Sequence, residues 1–495
     1  MVDYAILLIA LPLFAAFLIP LVAMVNKNWP KYIPILVTAF NSVLSINLLL
    51  YLNAHNGTPF IVKIGGFIPP FGINLFIGYL AIILLMLISF VGLMISLYTI
   101  NTVKDAESRY YMLFILLLMG VTGLVITGDL FNMFVFLEIT SISAYSLTAY
   151  KRDGLSLEAS MKYILIGSLA SVFVLIGIGV IYYSTHTLNI ADISNHINTV
   201  PKYIKMFSLS MLLIGLAIEA ELFPVNGWVP DVYQASPTPV TTIFSSIVVK
   251  ATIYVFFRVL FTVFRADLTV MNFVMGLGVI TLLIGEISAL KQVNIKRMLA
   301  YSSIGQVGLI VIAISSYSSM GVAGGIYQMI NHAIFKGILF LGTAYMITSV
   351  SGTGKISDLK GIAQKMPISS FIVSFSIIAL LGVPPLTGFW AKMMILSSVM
   401  SSGHQIIVAL ILFATVVEAV YYLKFIAVIY DSSEITNSFK STIKFNKIVP
   451  IVLFALTIIL FSVVPQFLVK FQDVLLKAAN ELTNVSSYIS IVLGS

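Results

Sequence analysis

The sequence lacks cysteine and is poor in charge. None of its 495 residues is a cysteine, which excludes cysteine-ligated iron–sulfur clusters, thiol catalysis and disulfide bonds within this chain. Charged residues make up 9% of the chain, whereas a soluble domain carries about 25%. No polar stretch is long enough to build a separate core, so we expect one integral membrane domain over residues 1–495.

Apolar residues form 59% of the chain, in runs long enough for transmembrane helices. The first run starts at Tyr4 without the features of a signal peptide, and we expect it to be a retained helix. The pattern predicts an all-α polytopic membrane protein with about fourteen spans. These lie near residues 4–25, 31–52, 73–102, 109–127, 130–150, 157–183, 206–231, 239–262, 269–289, 298–316, 320–349, 368–400, 405–429 and 447–468.

Basic residues concentrate in alternate loops, which predicts the orientation of the chain. With the N-terminus outside, the inside loops contain Lys27, Lys31, Lys104, Arg109, Lys151, Arg152, Lys291, Lys296, Arg297, Lys355, Lys360, Lys365, Lys440, Lys444 and Lys447. The outside segments contain Lys63, Lys202, Lys205, Arg265, Lys470 and Lys477. Both termini are therefore predicted outside, and the net charge of +8 indicates membrane topology and not nucleic-acid binding. The weakly amphipathic tail 469–495 is expected at the membrane interface.

Two predicted spans, the seventh and the twelfth, contain matching proline breaks. Superposing Pro224 on Pro385, which follows Pro384, also superposes Gly227 on Gly388. Proline removes a helix hydrogen bond, so both spans should be broken. Two broken helices at matching places suggest an internal repeat and mark the ion path of a transporter.

Ionisable residues inside spans are costly, and function is their usual explanation. Glu138 is a member of an ion path, one side of a static ion pair with a neighbouring lysine, or a carboxyl that is kept protonated. For Lys250, burial favours the neutral amine and a nearby carboxylate favours the ammonium, so a balanced site takes and releases protons. The alternative is a strut between helices.

His332 and Lys336 are four residues apart and share a helix face. In a membrane this pair is typical of a proton relay, although a lone histidine is often only a hydrogen-bonded core group. Lys392 follows the double proline and is either the last proton carrier or a lysine that snorkels to the surface. Glu418, on the next helix, is its expected partner. No phosphate-binding glycine loop and no metal-ligand spacing is present in the sequence.

These residues resemble the antiporter-like subunits shared by respiratory complex I, multisubunit cation/proton (Mrp) antiporters and membrane-bound hydrogenases, and most closely the D-type Mrp subunit. The stretches that carry the resemblance are 134–138, 158–163, 227–231, 236–240, 296–305 and 384–389. The resemblance implies two inverted five-helix repeats, over about 109–262 and 269–429, and no catalytic cofactor. It implies a proton route through Glu138, Lys250, His332 and Lys392, other membrane subunits as partners, and a prokaryotic plasma membrane.

One departure from the family affects the first half. The family usually has a lysine just before the break of the seventh helix, where this chain has Glu219, followed by Glu221. Lys250 or Lys162 would then have to compensate the charge of Glu138. The additional carboxyls are also suited to a hard cation such as sodium, which prefers oxygen ligands.

Three functions therefore compete. The leading one is a proton-translocating, or alternatively sodium-translocating, subunit of an energy-converting complex. The expected path residues are Glu138, Lys162, Glu219, Glu221, Lys250, His332, Lys336, Lys392 and Glu418. The alternatives are a stand-alone transporter of a small solute, which also uses broken helices, and a scaffold that lost transport with its lysine.

Overall fold

The computed structural model describes residues 2–100, 102–103, 107–432, 444–463 and 465–494. Lys104 and Lys440, two of the basic residues that predict the orientation, lie outside the described residues. The described part of the chain up to His196 contains helices and one hairpin. Its elements are α1 (Val2–Val25), α2 (Ile33–Ala54), β1 (Phe60–Lys63), β2 (Asn74–Ile77), α3 (Tyr79–Thr99), α4 (Glu107–Ile126), α5 (Leu130–Thr148), α6 (Gly154–Thr185) and α7 (Ile190–His196).

The remainder is helical in its described residues. Its helices are α8 (Lys202–Glu219), α9 (Val229–Ala235), α10 (Thr238–Ile243), α11 (Val249–Arg258), α12 (Leu268–Ala289), α13 (Ile295–Ser315), α14 (Ser319–Ser349), α15 (Pro367–Leu381), α16 (Thr387–Ser401), α17 (Gln405–Ile429), α18 (Phe445–Val463), α19 (Pro465–Thr483) and α20 (Val485–Leu493). Two π-helical turns, Phe244–Val248 and Val259–Val263, join α10 to α11 and extend α11.

Within the described residues, twelve helices are long and apolar enough to cross a membrane, or thirteen if one bent pair counts as a span. One of the twelve is the continuous segment 238–263, which contains α10 and α11. The predicted class, an all-α polytopic membrane protein, is confirmed. The seventh predicted span corresponds to α8 and α9, and the twelfth to α15 and α16.

Both predicted helix breaks are present. The α8 helix ends at Glu219 and α9 begins at Val229, with Pro224 between them. The α15 helix ends at Leu381 and α16 begins at Thr387, with Pro384 and Pro385 between them. The chain can turn this sharply after α15 partly because Gly382 has a φ of +86°, a conformation that side chains disfavour.

The helices α10, α11, α13 and α14 occupy the centre of the molecule. In the most apolar 18-residue stretch of each span, the share of residues that are buried is 100% in segment 238–263, 94% in α13 and 89% in α14. The corresponding share in α1 is 33%. The α14 helix contacts α10, α13, α15, α16, α18 and α19. Ionisable side chains on these central helices are therefore shielded from lipid by other helices.

One region differs from the sequence prediction. Residues 74–77, inside the predicted span 73–102, form strand β2, which pairs antiparallel with β1 so that Phe60 faces Ile77. The tail packs onto the protein, where α19 contacts α3 and α14. The Glu481 carboxylate accepts hydrogen bonds from the backbone N–H groups of Tyr79 (2.7 Å) and Leu80 (3.1 Å), so it caps the start of α3.

Candidate ion-translocation site

Lys250 and His332 form the centre of the candidate site. Lys250 projects from α11 and is 1% exposed, and His332 projects from α14 and is fully buried. The Lys250 Nζ atom lies 2.7 Å from His332 Nδ1 and also donates to the carbonyl of Ser245, in the π-helical turn before α11. His332 Nε2 contacts the Ser303 hydroxyl at 3.4 Å. An amine and an imidazole in direct contact can exchange one proton.

Lys336 lies one turn after His332 on α14 and is fully buried. Its ammonium donates to the Leu299 carbonyl at 3.0 Å, to the Ser302 hydroxyl at 2.9 Å and to the Tyr422 hydroxyl at 3.3 Å. Neutral protein oxygens therefore solvate this ammonium in place of water. The predicted sharing of one helix face places His332 and Lys336 in the same buried layer.

Lys392 and Glu418 form a buried ion pair at 3.0 Å, with side chains 9% and 2% exposed. Lys392 also donates to the Leu381 carbonyl at 3.3 Å, at the end of α15 where the helix breaks. The other Glu418 oxygen accepts from Gln306 Nε2 at 2.7 Å. The partnership expected from sequence is therefore present, and the break supplies a ligand for the ammonium. We call Lys250, His332, Lys336, Glu418 and Lys392 the central row.

The first half of the path contains carboxyl groups without a basic partner. Glu219, at the end of α8, is 4% exposed, and its Oε1 accepts from the Ser141 hydroxyl at 3.4 Å. Glu138, which is half-buried on α5, accepts from the Ser171 hydroxyl. In the part of the chain that the structure describes, no lysine or arginine lies within 4.0 Å of either carboxylate.

Glu221 lies in the first helix break and is 2% exposed. The Tyr233 hydroxyl donates to its Oε1, and its Oε2 is buried without a hydrogen-bond partner. Its charge is close enough to those of Lys250 and Glu219 to interact with both. Glu221 is therefore a buried carboxyl whose charge acts on Lys250 of the central row.

Lys162, one of the two lysines considered as a partner for Glu138, pairs with other carboxylates. Its ammonium pairs with Asp231 at 2.9 Å and Glu158 at 2.8 Å, and its side chain is 44% exposed. Asp231 also pairs with Arg297 at 2.6 Å. Two carboxylates near the start of α6 bind Lys162 at a partly exposed site, which its place in an apolar span did not reveal.

Glu286 is a buried carboxyl that the path predicted from the sequence does not include. This residue of α12 is 1% exposed, and its Oε2 accepts from the Tyr421 hydroxyl at 2.7 Å. Its Oε1 is buried without a partner, and the charges of Glu286 and Glu418 both act on Lys336. Its position inside an apolar span is the feature of the sequence that could have identified it as a candidate. Among the described residues, no group of three histidine, aspartate or glutamate side chains is arranged to hold a metal ion.

Known proteins resemble this chain over most of its length. A family model described as NADH:quinone oxidoreductase/Mrp antiporter, TM, matches residues 127–418, which contain every stretch that carried the resemblance. NADH-quinone oxidoreductase subunit N of Desulforudis audaxviator is 32% identical over 85% of both chains. The D-type subunit of the Na(+)/H(+) antiporter of Alkalihalophilus pseudofirmus is 29% identical over 91% of this chain and 92% of the relative.

A solved structure also resembles this chain over nearly its whole length. One chain of the membrane-bound sulfane sulfur reductase, an archaeal respiratory membrane complex, is 38% identical and superposes with a TM-score of 0.92 over 99% of both chains.

Proposed function

Because the chain belongs to the NADH:quinone oxidoreductase/Mrp antiporter family, we propose that it translocates protons as one subunit of a multisubunit energy-converting complex. The observation that carries this proposal is the contact between Lys250 and His332 within the buried central row. Because a similar chain belongs to a respiratory membrane complex, we propose that the partners of this chain are other membrane subunits. We place the chain in a prokaryotic plasma membrane.

The first proton step is a transfer between two nitrogens. A proton that leaves the Lys250 ammonium for His332 Nδ1, 2.7 Å away, gives a neutral amine and an imidazolium, and the reverse transfer restores the first state. Two positive charges this close inside a protein repel each other strongly. We therefore expect the pair to hold one excess proton, which makes it a shuttle.

Later steps run along α14 to the second helix break. Lys336 is one turn from His332, and the side chains at this spacing are neighbours. The hydroxyls of Ser302 and Tyr422 surround Lys336. Water must complete the remaining gap to the Lys392–Glu418 pair, since bridging water serves nearly as well as a direct hydrogen bond. Lys392 is then the terminal carrier.

We propose that Glu138, Glu219 and Glu221 deliver protons to Lys250. Their hydroxyl partners, Ser171, Ser141 and Tyr233 respectively, hold them in place. Three carboxyls near one another cannot all be ionised cheaply, so at least one is expected to carry a proton. Lys162 stays a candidate for the surface end of the route, beside Asp231.

We also propose that the two predicted repeats, about 109–262 and 269–429, share one design. Each contains a helix broken at a proline, α8–α9 in the first and α15–α16 in the second. Both termini are proposed to lie outside, because the basic loops then lie inside. On that side, Lys151 donates to the Ala235 carbonyl at 2.7 Å and Lys296 to the Ser236 carbonyl at 2.5 Å.

The substitution Lys250→Ala tests the relay in the assembled complex. We expect the complex to assemble and proton pumping in vesicles to be abolished, because His332 loses the amine that contacts its Nδ1 atom. The matched control is Lys447→Ala. Lys447 is also buried, at 7% exposure, but its ammonium lies 5.5 Å from the Tyr98 ring and 5.9 Å from the Tyr345 ring, away from the row. Normal pumping by the assembled Lys250 variant would refute the relay.

Purification in mild detergent tests the assembly. We expect the chain to co-purify with other membrane subunits. A chain that purifies alone and transports a small solute would instead support the stand-alone transporter.

A further inference from the structure

Arg258 is a buried cation on the same helix as Lys250. It ends α11 and is 5% exposed. The positions 250, 254 and 258 are four residues apart, so Lys250, Tyr254 and Arg258 follow one side of the helix. Arg258 lies about 12 Å along the axis from Lys250, given a rise of about 1.5 Å per residue. A direct route from the centre of the row to this end of α11 would therefore pass Arg258.

The guanidinium of Arg258 is fixed by neutral groups. It donates to the Tyr254 hydroxyl at 2.7 Å and to the Tyr488 hydroxyl of α20 at 2.9 Å. Its Cζ atom lies 5.7 Å from the ring centre of Phe76, 5.7 Å from that of Tyr254 and 5.2 Å from that of Tyr488. No carboxylate of the described residues is within 4.0 Å. Its positive charge is therefore not cancelled by an ion pair.

Two adjoining cavities lead from the surface to Arg258. The outer cavity, of about 250 Å³, is lined by exposed Asn56, Lys477 and Asn480, and we call it the vestibule. The inner cavity, of about 20 Å³, is lined by Arg258, Tyr254 and Thr262, and we call it the constriction. Phe76, Glu481 and Tyr488 line both cavities. The constriction has room for about one water molecule.

We propose that Arg258 is an electrostatic barrier that stops protons on Lys250 from leaking into the vestibule. An arginine does not release its proton, so it cannot join the relay. A fixed positive charge at a narrow point excludes protons and other cations, as arginines do in selective pores. This inference rests on the proposed function, because it requires a proton on Lys250. It assigns Arg258 the role of keeping protons on the path to Lys392.

Glu481 does not replace the missing counter-ion. Its two oxygens accept the N–H groups of Tyr79 and Leu80, so the carboxylate is committed to the start of α3. The competing explanation is mechanical, since the Arg258–Tyr488 hydrogen bond also holds α20 against α11. A test must therefore separate the charge of Arg258 from its hydrogen bonds.

The experiment measures passive proton leak through the purified complex in liposomes under an imposed pH gradient. We expect Arg258→Gln to raise the leak about tenfold, equivalent to about 1.4 kcal/mol, the interaction of two unit charges about 12 Å apart at an effective dielectric constant of 20. Arg258→Lys keeps the charge, so its proton leak should stay as low as that of the unchanged protein. Tyr488→Phe removes the hydrogen bond but keeps the charge, and should also stay tight.

A second variant covers the case in which Arg258→Gln does not assemble. Thr262→Glu places a carboxylate one turn from Arg258 in the constriction and should also raise the leak, whereas Thr262→Gln should not. Adding Lys250→Ala to either leaking variant should restore tightness. The barrier is refuted by a tight Arg258→Gln or Thr262→Glu variant, by an equal leak in Tyr488→Phe, or by a leak that persists without Lys250. The relay itself is tested by a separate measurement, and normal pumping by the assembled Lys250→Ala variant would refute it.

Discussion

Replacing Lys392 by arginine distinguishes a proton carrier from an anchor. Both side chains carry the charge that the buried Glu418 requires, and the pair is 3.0 Å apart with little exposure. Removing the charge altogether would leave a buried carboxylate unpaired, at a cost of about 3–5 kcal/mol, and assembly would be at risk. Arginine avoids that cost and changes only the ability to release a proton.

The expected effect of Lys392→Arg is large. In water, arginine holds its proton about three orders of magnitude more tightly than lysine. If Lys392 is the terminal carrier, release should slow by a comparable factor and pumping should become undetectable. If Lys392 only anchors the break by binding the Leu381 carbonyl, arginine should serve as well.

The assay is the initial rate of proton uptake into inverted vesicles that contain the assembled complex, driven by the complex's own reaction. Lys447→Arg is the matched control, a buried lysine outside the central row. Pumping by Lys392→Arg at the normal rate would refute the proposed exit, and Lys392 would then be an anchor.

Two further predictions test the helix break and the acidic first half. Gly388→Ala should destabilise the protein by about 1–3 kcal/mol, because a Cβ there would lie 1.9 Å from the Ala379 carbonyl oxygen. Gly227→Ala, where a Cβ meets nothing within 4 Å, is the control, and equal thermal stability of the two variants would contradict this explanation. Glu219→Lys should alter any sodium dependence of proton transport, since it replaces an oxygen ligand by a cation. A sodium dependence that is present and unchanged in that variant would exclude a cation at Glu219.

The sequence was sufficient for the fold class, for both helix breaks and for the contact between Lys392 and Glu418. A helix that crosses a bilayer needs a long apolar run. Proline breaks a helix because it lacks the backbone N–H that donates a hydrogen bond. Both features can therefore be read from the local sequence. The Lys392–Glu418 pair was foreseeable because a buried charge needs a partner. The comparisons confirm the family that the sequence motifs indicated.

Other features depend on tertiary contacts that no local pattern encodes. Residues 74–77 are apolar enough for a span but pair with β1. Lys162 lies in an apolar run, yet Asp231, which is distant in sequence, binds it near the surface. The tail is amphipathic, and its apolar side is taken up by the protein, where α19 contacts α3 and α14.

The two halves of the proposed path differ in their buried charges, and this difference bears on the direction of proton transfer. In the second half, Lys392 pairs with Glu418, whereas Lys336 is solvated by neutral carbonyl and hydroxyl oxygens and experiences the charge of Glu286. In the first half, Glu138 and Glu219 have only hydroxyl partners in the described structure, so protonation or a bound cation must neutralise them. Glu221 lies at the junction and is the acid whose charge acts on Lys250. A proton that passes from Glu221 to Lys250 therefore converts two neutral groups into an attracted pair, and moving that proton on from Lys250 to His332 must overcome the attraction. The step from Lys250 to His332 is thus where we expect an input of free energy to be needed, which places the control of transport between α11 and α14.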